Sequence, residues 1–159
     1  ATMPETSAYL EKIMDMLVDC SMFNQFSSNE LQRVAAYFTL SETPEAGTIF
    51  REGDEGTFMG IIHSGKVSVL KADSGDRPVQ VATLKKDKTF GEMAVLDGER
   101  RSATCVAATP CNILTLSRES LDRMTGECPR IAAKVIRAIA ITLSRRLRVV
   151  DFKVAEHQL

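Results

Sequence analysis

The stretch that decides the reading is Phe90–Thr104, FGEMAVLDGERRSAT. It concentrates in one loop the groups needed to hold a small anion attached to a sugar. Gly91 lets the backbone approach a ligand where a side chain would block it. Glu92 is an acceptor for a sugar hydroxyl. Met93, Ala94 and Val95 can form one helical turn whose free N–H groups face an anion, and the Met93–Ala94 pair is expected to seat the loop on a core. Arg101 adds a permanent cationic fork for the same anion.

The flanking sequence reads as strands. Ile49 to Leu70 carries turn glycines at Gly53 and Gly65. Val67, Val69 and Lys71 alternate with Ser68 and Leu70, which suits a strand buried at one end. Asp73-Ser74-Gly75-Asp76 is a turn cluster, and Val79, Val81 and Leu84 continue as the return strand. After the loop, Ala103 to Ala108 and Cys111 to Leu116 form a second pair split by Thr109-Pro110. Short strands at this spacing predict a small sandwich or barrel.

Helices are expected at both ends. Leu10, Ile13, Met14 and Leu17 share one helical face of residues 8–19. Ser27 and Glu30 make a capping box for a second helix through Phe38, with Leu31, Val34 and Ala35 inward. Thr43, Pro44 and Gly47 mark the crossing into strands. Ser117 caps a short helix from Arg118 to Met124 that stops at Gly126. Pro129 opens a long last helix, with apolar residues at Ile131, Val135, Ile139, Leu143, Leu147, Val150 and Val154. Ile136, Ala140 and Val149 widen the stripe, enough to meet the strands with one face and a second subunit with an edge.

Composition bounds the rest. The chain has 159 residues, 44% hydrophobic and 26% charged, with net charge −1, a size that buries a core without disulfides. No run reaches the roughly 18 apolar residues of a membrane span, and nothing at the N-terminus reads as a secretory signal. Cys20, Cys105, Cys111 and Cys128 match no common zinc spacing. Cys105 and Cys111 lie on successive strands, so a disulfide is conceivable, but reduced buried thiols are the expectation. The Arg130–Lys153 stretch is basic and is read as a solvated helix face before a nucleic-acid surface. His63 and His157 are the only histidines, too far apart in sequence for a metal site. No arrangement of nucleophile and base stands out, so the expectation is no enzyme, no metal and no cofactor.

The two blocks Phe90-Gly91-Glu92-Met93-Ala94 and Arg101-Ser102-Ala103-Thr104 resemble the phosphate-binding cassette of cyclic-nucleotide-binding domains. These occur in catabolite activator proteins, protein kinase A regulatory subunits and cyclic-nucleotide-gated channels. The resemblance extends over about residues 20 to 150. It implies an α+β fold, an antiparallel β-roll (a double-stranded, jelly-roll-like barrel) flanked by N-terminal helices and a long C-terminal helix. The chain is then one domain over residues 1–159. Its N-terminal helices occupy 8–38, the β-roll 39–116 with the cassette at 90–104, and the C-terminal helices 117–155.

The resemblance also implies a cyclic-nucleotide sensor, with cAMP preferred over cGMP as the ligand. Arg101 would bind the phosphate, rather than Arg100 or a surface ion pair of Arg101 with Asp97 or Glu99. Glu92 would accept the ribose 2′-OH. Gly91, Met93, Ala94 and Ala103 would supply backbone contacts, and substitution of Met93 would act on packing first. Ser102 would touch the phosphate or a guanine amino group. Val69, Val81 and Leu84 would stack on the base. The C-helix would close over it through Arg146, with Arg145, or Val150 and Asp151 in another register, as alternatives. Helix movement would report occupancy, and the C-helix would either cover the ligand or pair two protomers. The implied location is cytoplasmic, with no membrane contact, no DNA binding by this chain, and an effector left open. The alternatives are a ligand-free interaction module of this fold, or a regulatory domain excised from a channel, kinase or transcription regulator.

Overall fold

The computed structural model describes residues 2–158, with side chains described for residues 7–149. Helix α1 spans Thr2–Val18 and is followed by a 3-10 turn at Ser21–Phe23 and by α2 at Ser28–Ala35. Eight strands follow among the described residues. They are β1 (Phe38–Thr43), β2 (Thr48–Phe50), β3 (Phe58–Ser64), β4 (Val67–Ala72), β5 (Pro78–Leu84), β6 (Thr89–Phe90), β7 (Thr104–Ala107) and β8 (Cys111–Ser117). A short helix α3 (Glu92–Asp97) interrupts them, and α4 (Arg118–Glu127) and α5 (Pro129–Gln158) complete the chain order.

The strands form two antiparallel four-stranded sheets, ordered β1-β8-β3-β6 and β2-β7-β4-β5. Because side chains alternate across a strand, the first sheet serves two cores. Met59, Ile61, Leu114 and Leu116 face the helices, packing with Ile13, Leu17, Val34 and Val135. Ile62 and Ile113 face the second sheet, packing with Phe50, Val67 and Phe90. This is the antiparallel β-roll with its N-terminal helices and long C-terminal helix.

Several local expectations hold. The capping box at α2 is complete, with Ser27 Oγ accepting from the N–H of Glu30 and Glu30 Oε1 from that of Ser27. The Asp73–Asp76 cluster turns the chain between β4 and β5, where Asp73 Oδ1 accepts from the N–H groups of Gly75 and Arg77. Pro78 stands first in β5, an edge strand where its missing donor costs little.

Others are corrected by tertiary structure. Helix α2 ends at Ala35, and Phe38 enters β1 opposite Leu116 with its ring edge-on to Phe23. Strand pairing there outweighs helical propensity. The strands β7 and β8 are no hairpin, because they belong to different sheets. The N–H groups of Ala108 and Thr109 both donate to the Lys66 carbonyl, carrying the chain across. Cys105 and Cys111 are consequently separate buried thiols. Gly126 lies inside α4. That helix ends at Glu127, and its cap Cys128 leaves the α region at φ −143°, ψ 73°, since the residue before Pro129 is kept out of that region.

In α5, Ile131, Val135 and Ile139 are buried, while Leu147 and Val149 are exposed. The side chains of Val150, Asp151, Val154 and His157 lie outside the described ones. No helix among the described residues is long and apolar enough to cross a membrane.

Candidate functional site

The cassette leaves the roll at β6 and reverses through Gly91, whose φ of 72° lies in the left-handed region. A Cβ at that position would collide with Nη1 of Arg101, so glycine is required by both conformation and space. Helix α3 follows at once, and its first-turn N–H groups lack partners within the helix. Ala94 and Val95 are buried and anchor it, whereas Met93 is 62% exposed. The expectation that Met93 seats the loop, and that its substitution acts on packing first, is therefore corrected. The inward positions are Ala94 and Val95.

Arg101 returns the chain toward the roll. Its N–H donates to the carbonyl of Asp54 (2.8 Å), and its own carbonyl accepts from Gly53 (2.8 Å). Its side chain points inward and is 4% exposed. The guanidinium lies 3.9 Å from the ring centroid of Phe50 and 4.9 Å from that of Phe58, a cation–π arrangement. Nη1 donates to the carbonyl of Gly91 (3.2 Å), and Nη2 to that of Phe58. A surface pairing with Asp97 or Glu99 is excluded by this burial. Arg100, by contrast, is exposed and donates to the carbonyl of Gly53. Burial pushes the Arg101 guanidinium below its ordinary pKa, partly offset by Cys105, Asp54 and Glu92.

Glu92 is 2% exposed. Its Oε1 accepts from Nη1 of Arg146 on α5, and Nη2 of Arg146 donates to the carbonyl and, at 2.7 Å, to the hydroxyl of Thr89. Arg146 thus reaches the site from the C-terminal helix, but its hydrogen bonds all go to Thr89 and Glu92. Arg145 is exposed.

Two buried side-chain polar atoms among the described residues lack a partner, Glu92 Oε2 and Arg101 Nε. Both residues line the same cavity of about 450 Å³, within the ordinary range for ligand sites. One is an unfilled acceptor and the other an unfilled donor. Leaving such a group unmet costs about 1–3 kcal/mol, more when it is charged. A ligand presenting a hydroxyl and an anionic oxygen would satisfy both. A larger groove of about 750 Å³ opens where Ser41, Thr43, Thr48 and Thr115 line it. It contains neither unmet group, so size does not identify the site.

The cavity gathers most of the expected residues. Gly91, Glu92, Met93, Ala94, Arg101, Ser102 and Ala103 line it, as do Val69, Leu84 and Arg146. Val81 does not. It is 57% exposed on β5 and sits where the register shifts, unpaired between Ala82, which faces Val69, and Gln80, which faces Leu70. Sequence reading missed Thr89, Phe50 and Phe58. Phe50 and Phe58 are visible only as apolar strand residues. Thr89 carried one signal, its position beside the cassette. The floor includes Cys105, whose thiol burial pushes up to about 11, with Arg101 opposing and Glu92 adding to that rise.

Comparison with known proteins places the family and the fold. Residues 42–127, more than half of the chain, match the cyclic nucleotide-binding domain family. The chain is 31% identical over 132 residues to the cyclic AMP receptor protein of Thermus thermophilus, covering 83% of this chain and 59% of that one. It is 30% identical over 118 residues to the cGMP-dependent protein kinase egl-4 of Caenorhabditis elegans, covering 73% of this chain and 15% of the kinase. The chain therefore spans about three fifths of the first relative and a small part of the second. A crystal structure of a cyclic nucleotide-binding domain from Methylobacillus flagellatus superimposes with TM-score 0.81 at 28% identity, over 96% of this chain and 85% of that one. With the cassette, the roll and the family match in agreement, the chain belongs to the cyclic nucleotide-binding domain family.

Proposed function

We propose that this domain is a cyclic-nucleotide sensor that binds cAMP in preference to cGMP in the cavity between the cassette and β4–β5. The observation that carries the reading is the pair of unmet buried atoms, Glu92 Oε2 and Arg101 Nε, in one cavity. A 3′,5′-cyclic nucleotide brings a free 2′-OH for the first and an anionic phosphate oxygen for the second. Gly91, Met93, Ala94 and Ala103 contribute backbone to the phosphate and ribose, and Ser102 contributes its hydroxyl or N–H. Val69 and Leu84 offer the apolar wall for the base.

Occupancy is coupled to the helices through α5. Near its start, Nζ of Lys134 donates to Glu30 Oε1 (2.8 Å) and to the carbonyl of Gln25 (2.6 Å). Further along, Arg146 holds Glu92. One helix thus touches both the N-terminal helices and the carboxylate that meets the ligand, so binding shifts an equilibrium between helix positions. The whole protein's output lies with the effector that receives this shift.

Calorimetric titration with cAMP, cGMP and 5′-AMP tests the reading. Saturable binding of cAMP, weaker binding of cGMP and weakest binding of 5′-AMP are expected. No heat and no thermal shift with either cyclic nucleotide would refute it.

A further inference from the structure

The carboxylate of Glu92 is only half committed. Oε1 accepts from Arg146, while Oε2 is buried without a partner. Arg146 is itself pinned at a second point, since its Nη2 donates to both the carbonyl and the hydroxyl of Thr89. The guanidinium is therefore held by two residues that flank Gly91 and Phe90, and Thr89 is 3% exposed.

We propose that Arg146 sets the ligand selectivity of the site by engaging one oxygen of Glu92 with a charged donor, so that the pocket accepts a ribose with one free hydroxyl and penalises one with two. This rests on the cyclic-nucleotide reading above. In a 3′,5′-cyclic nucleotide the 3′ oxygen is esterified, and the single 2′-OH matches the single open acceptor. A 5′-nucleotide carries a cis diol, which is best matched by both oxygens of a carboxylate. With Oε1 already engaged by a charged donor, the second hydroxyl loses water on entry and must compete with Arg146 for that oxygen, a net penalty. Arg146 acts through Glu92 and is a positioning residue. Charge alone predicts the reverse. The 5′-nucleotide is the more negative ligand, so removing a cation would weaken it more than the cyclic diester.

The test is competition by cAMP and by 5′-AMP against a fluorescent cAMP analogue, using the unsubstituted chain, Arg146→Met and Arg146→Lys. Arg146→Met should lower the ratio of the 5′-AMP to the cAMP dissociation constant by about tenfold, the size of one hydrogen bond to a charged group. Arg146→Lys, which keeps a donor for Oε1, should restore much of that ratio. An unchanged or larger ratio in Arg146→Met overturns the proposal. Should Arg146→Met fail to fold, the unsubstituted chain gives the answer with 3′-deoxyadenosine 5′-phosphate. That analogue should bind at least twofold more tightly than 5′-AMP, and equal or weaker binding overturns the proposal. Failure of the unsubstituted chain to bind cAMP at all would instead remove the reading beneath it.

Discussion

Lys134 and Glu30 meet at 2.8 Å between α5 and α2, 104 residues apart in the chain. The same Glu30 Oε1 closes the capping box by accepting from the N–H of Ser27. One carboxylate oxygen therefore both starts α2 and fastens it to the C-terminal helix. The Lys134 ammonium also lies 4.8 Å from the ring centroid of Phe26, so it bridges the turn and the helix it precedes.

This arrangement has a pH signature. The hydrogen bond from Lys134, then that from the Ser27 backbone, holds the Glu30 carboxyl below its ordinary value. A depressed folded pKa contributes stability that is present above the unfolded value and is lost as pH falls through the folded one. Glu30→Gln keeps a cap acceptor but removes the charge. Its Tm should lie below that of the unsubstituted chain at neutral pH, and the gap should close in acid below the carboxylate range. A gap that persists unchanged at low pH would place the effect outside the ion pair.

Glu92→Gln is expected to weaken cAMP binding by about tenfold or more, because the hydrogen bonds at this carboxylate are charge-assisted. The cycle with 2′-deoxy-cAMP isolates the cause. That analogue should bind weakly to the unsubstituted chain and lose little further in Glu92→Gln. Equal losses for both ligands would show that Glu92 does not meet the 2′-OH.

Arg101→Ala should reduce cAMP affinity at least tenfold and, in addition, cost stability. The side chain is packed against Phe50 and Phe58, and removing it opens space at a buried site, typically worth about 1–3 kcal/mol. Titration and urea denaturation measure the two separately. Arg101→Lys should retain more stability than affinity, since an ammonium lacks the planar fork.

The thiols should divide by burial. Burial, followed by Asp87 and Asp19, pushes Cys20 up to about 12, and Cys105 rises to about 11. Only the thiolate attacks a disulfide reagent, so both should stay unreactive at pH 8 until the chain unfolds. Cys128 is half-buried and should be the fast site under native conditions. The fast phase should vanish in Cys128→Ser, and its persistence would contradict the ordering.

Much of the site was legible because the cassette is local. Gly91, Glu92, Ala94 and Arg101 lie in one short segment, its ends 10 positions apart, and their chemistry follows from residue type. The capping box at Ser27 and the helix start at Pro129 are equally local rules, and both appear as expected. The misses share a different origin. Phe38 leaves the helix for a strand because of Leu116, and β7 parts from β8 because of Lys66. Val81 failed at a local irregularity, the register shift between β4 and β5 that leaves it unpaired, which a strand period does not reveal. The aromatic bracket around Arg101 and the grip of Arg146 on Thr89 depend on residues brought together by the roll and by α5, which no window of sequence displays.

The most direct measurement is the ¹⁵N-resolved NMR signal of the arginine Nε–H groups, with the Arg101 peak assigned by its loss in Arg101→Lys. Burial without a partner sets that group apart in the free domain. Saturating cAMP should move the Arg101 Nε–H peak downfield as it gains a phosphate oxygen, while 5′-AMP at the same concentration should leave it nearly unmoved. An Arg101 peak that stays in place while cAMP binds elsewhere, or does not bind, would contradict the assignment of this cavity as the cyclic-nucleotide site.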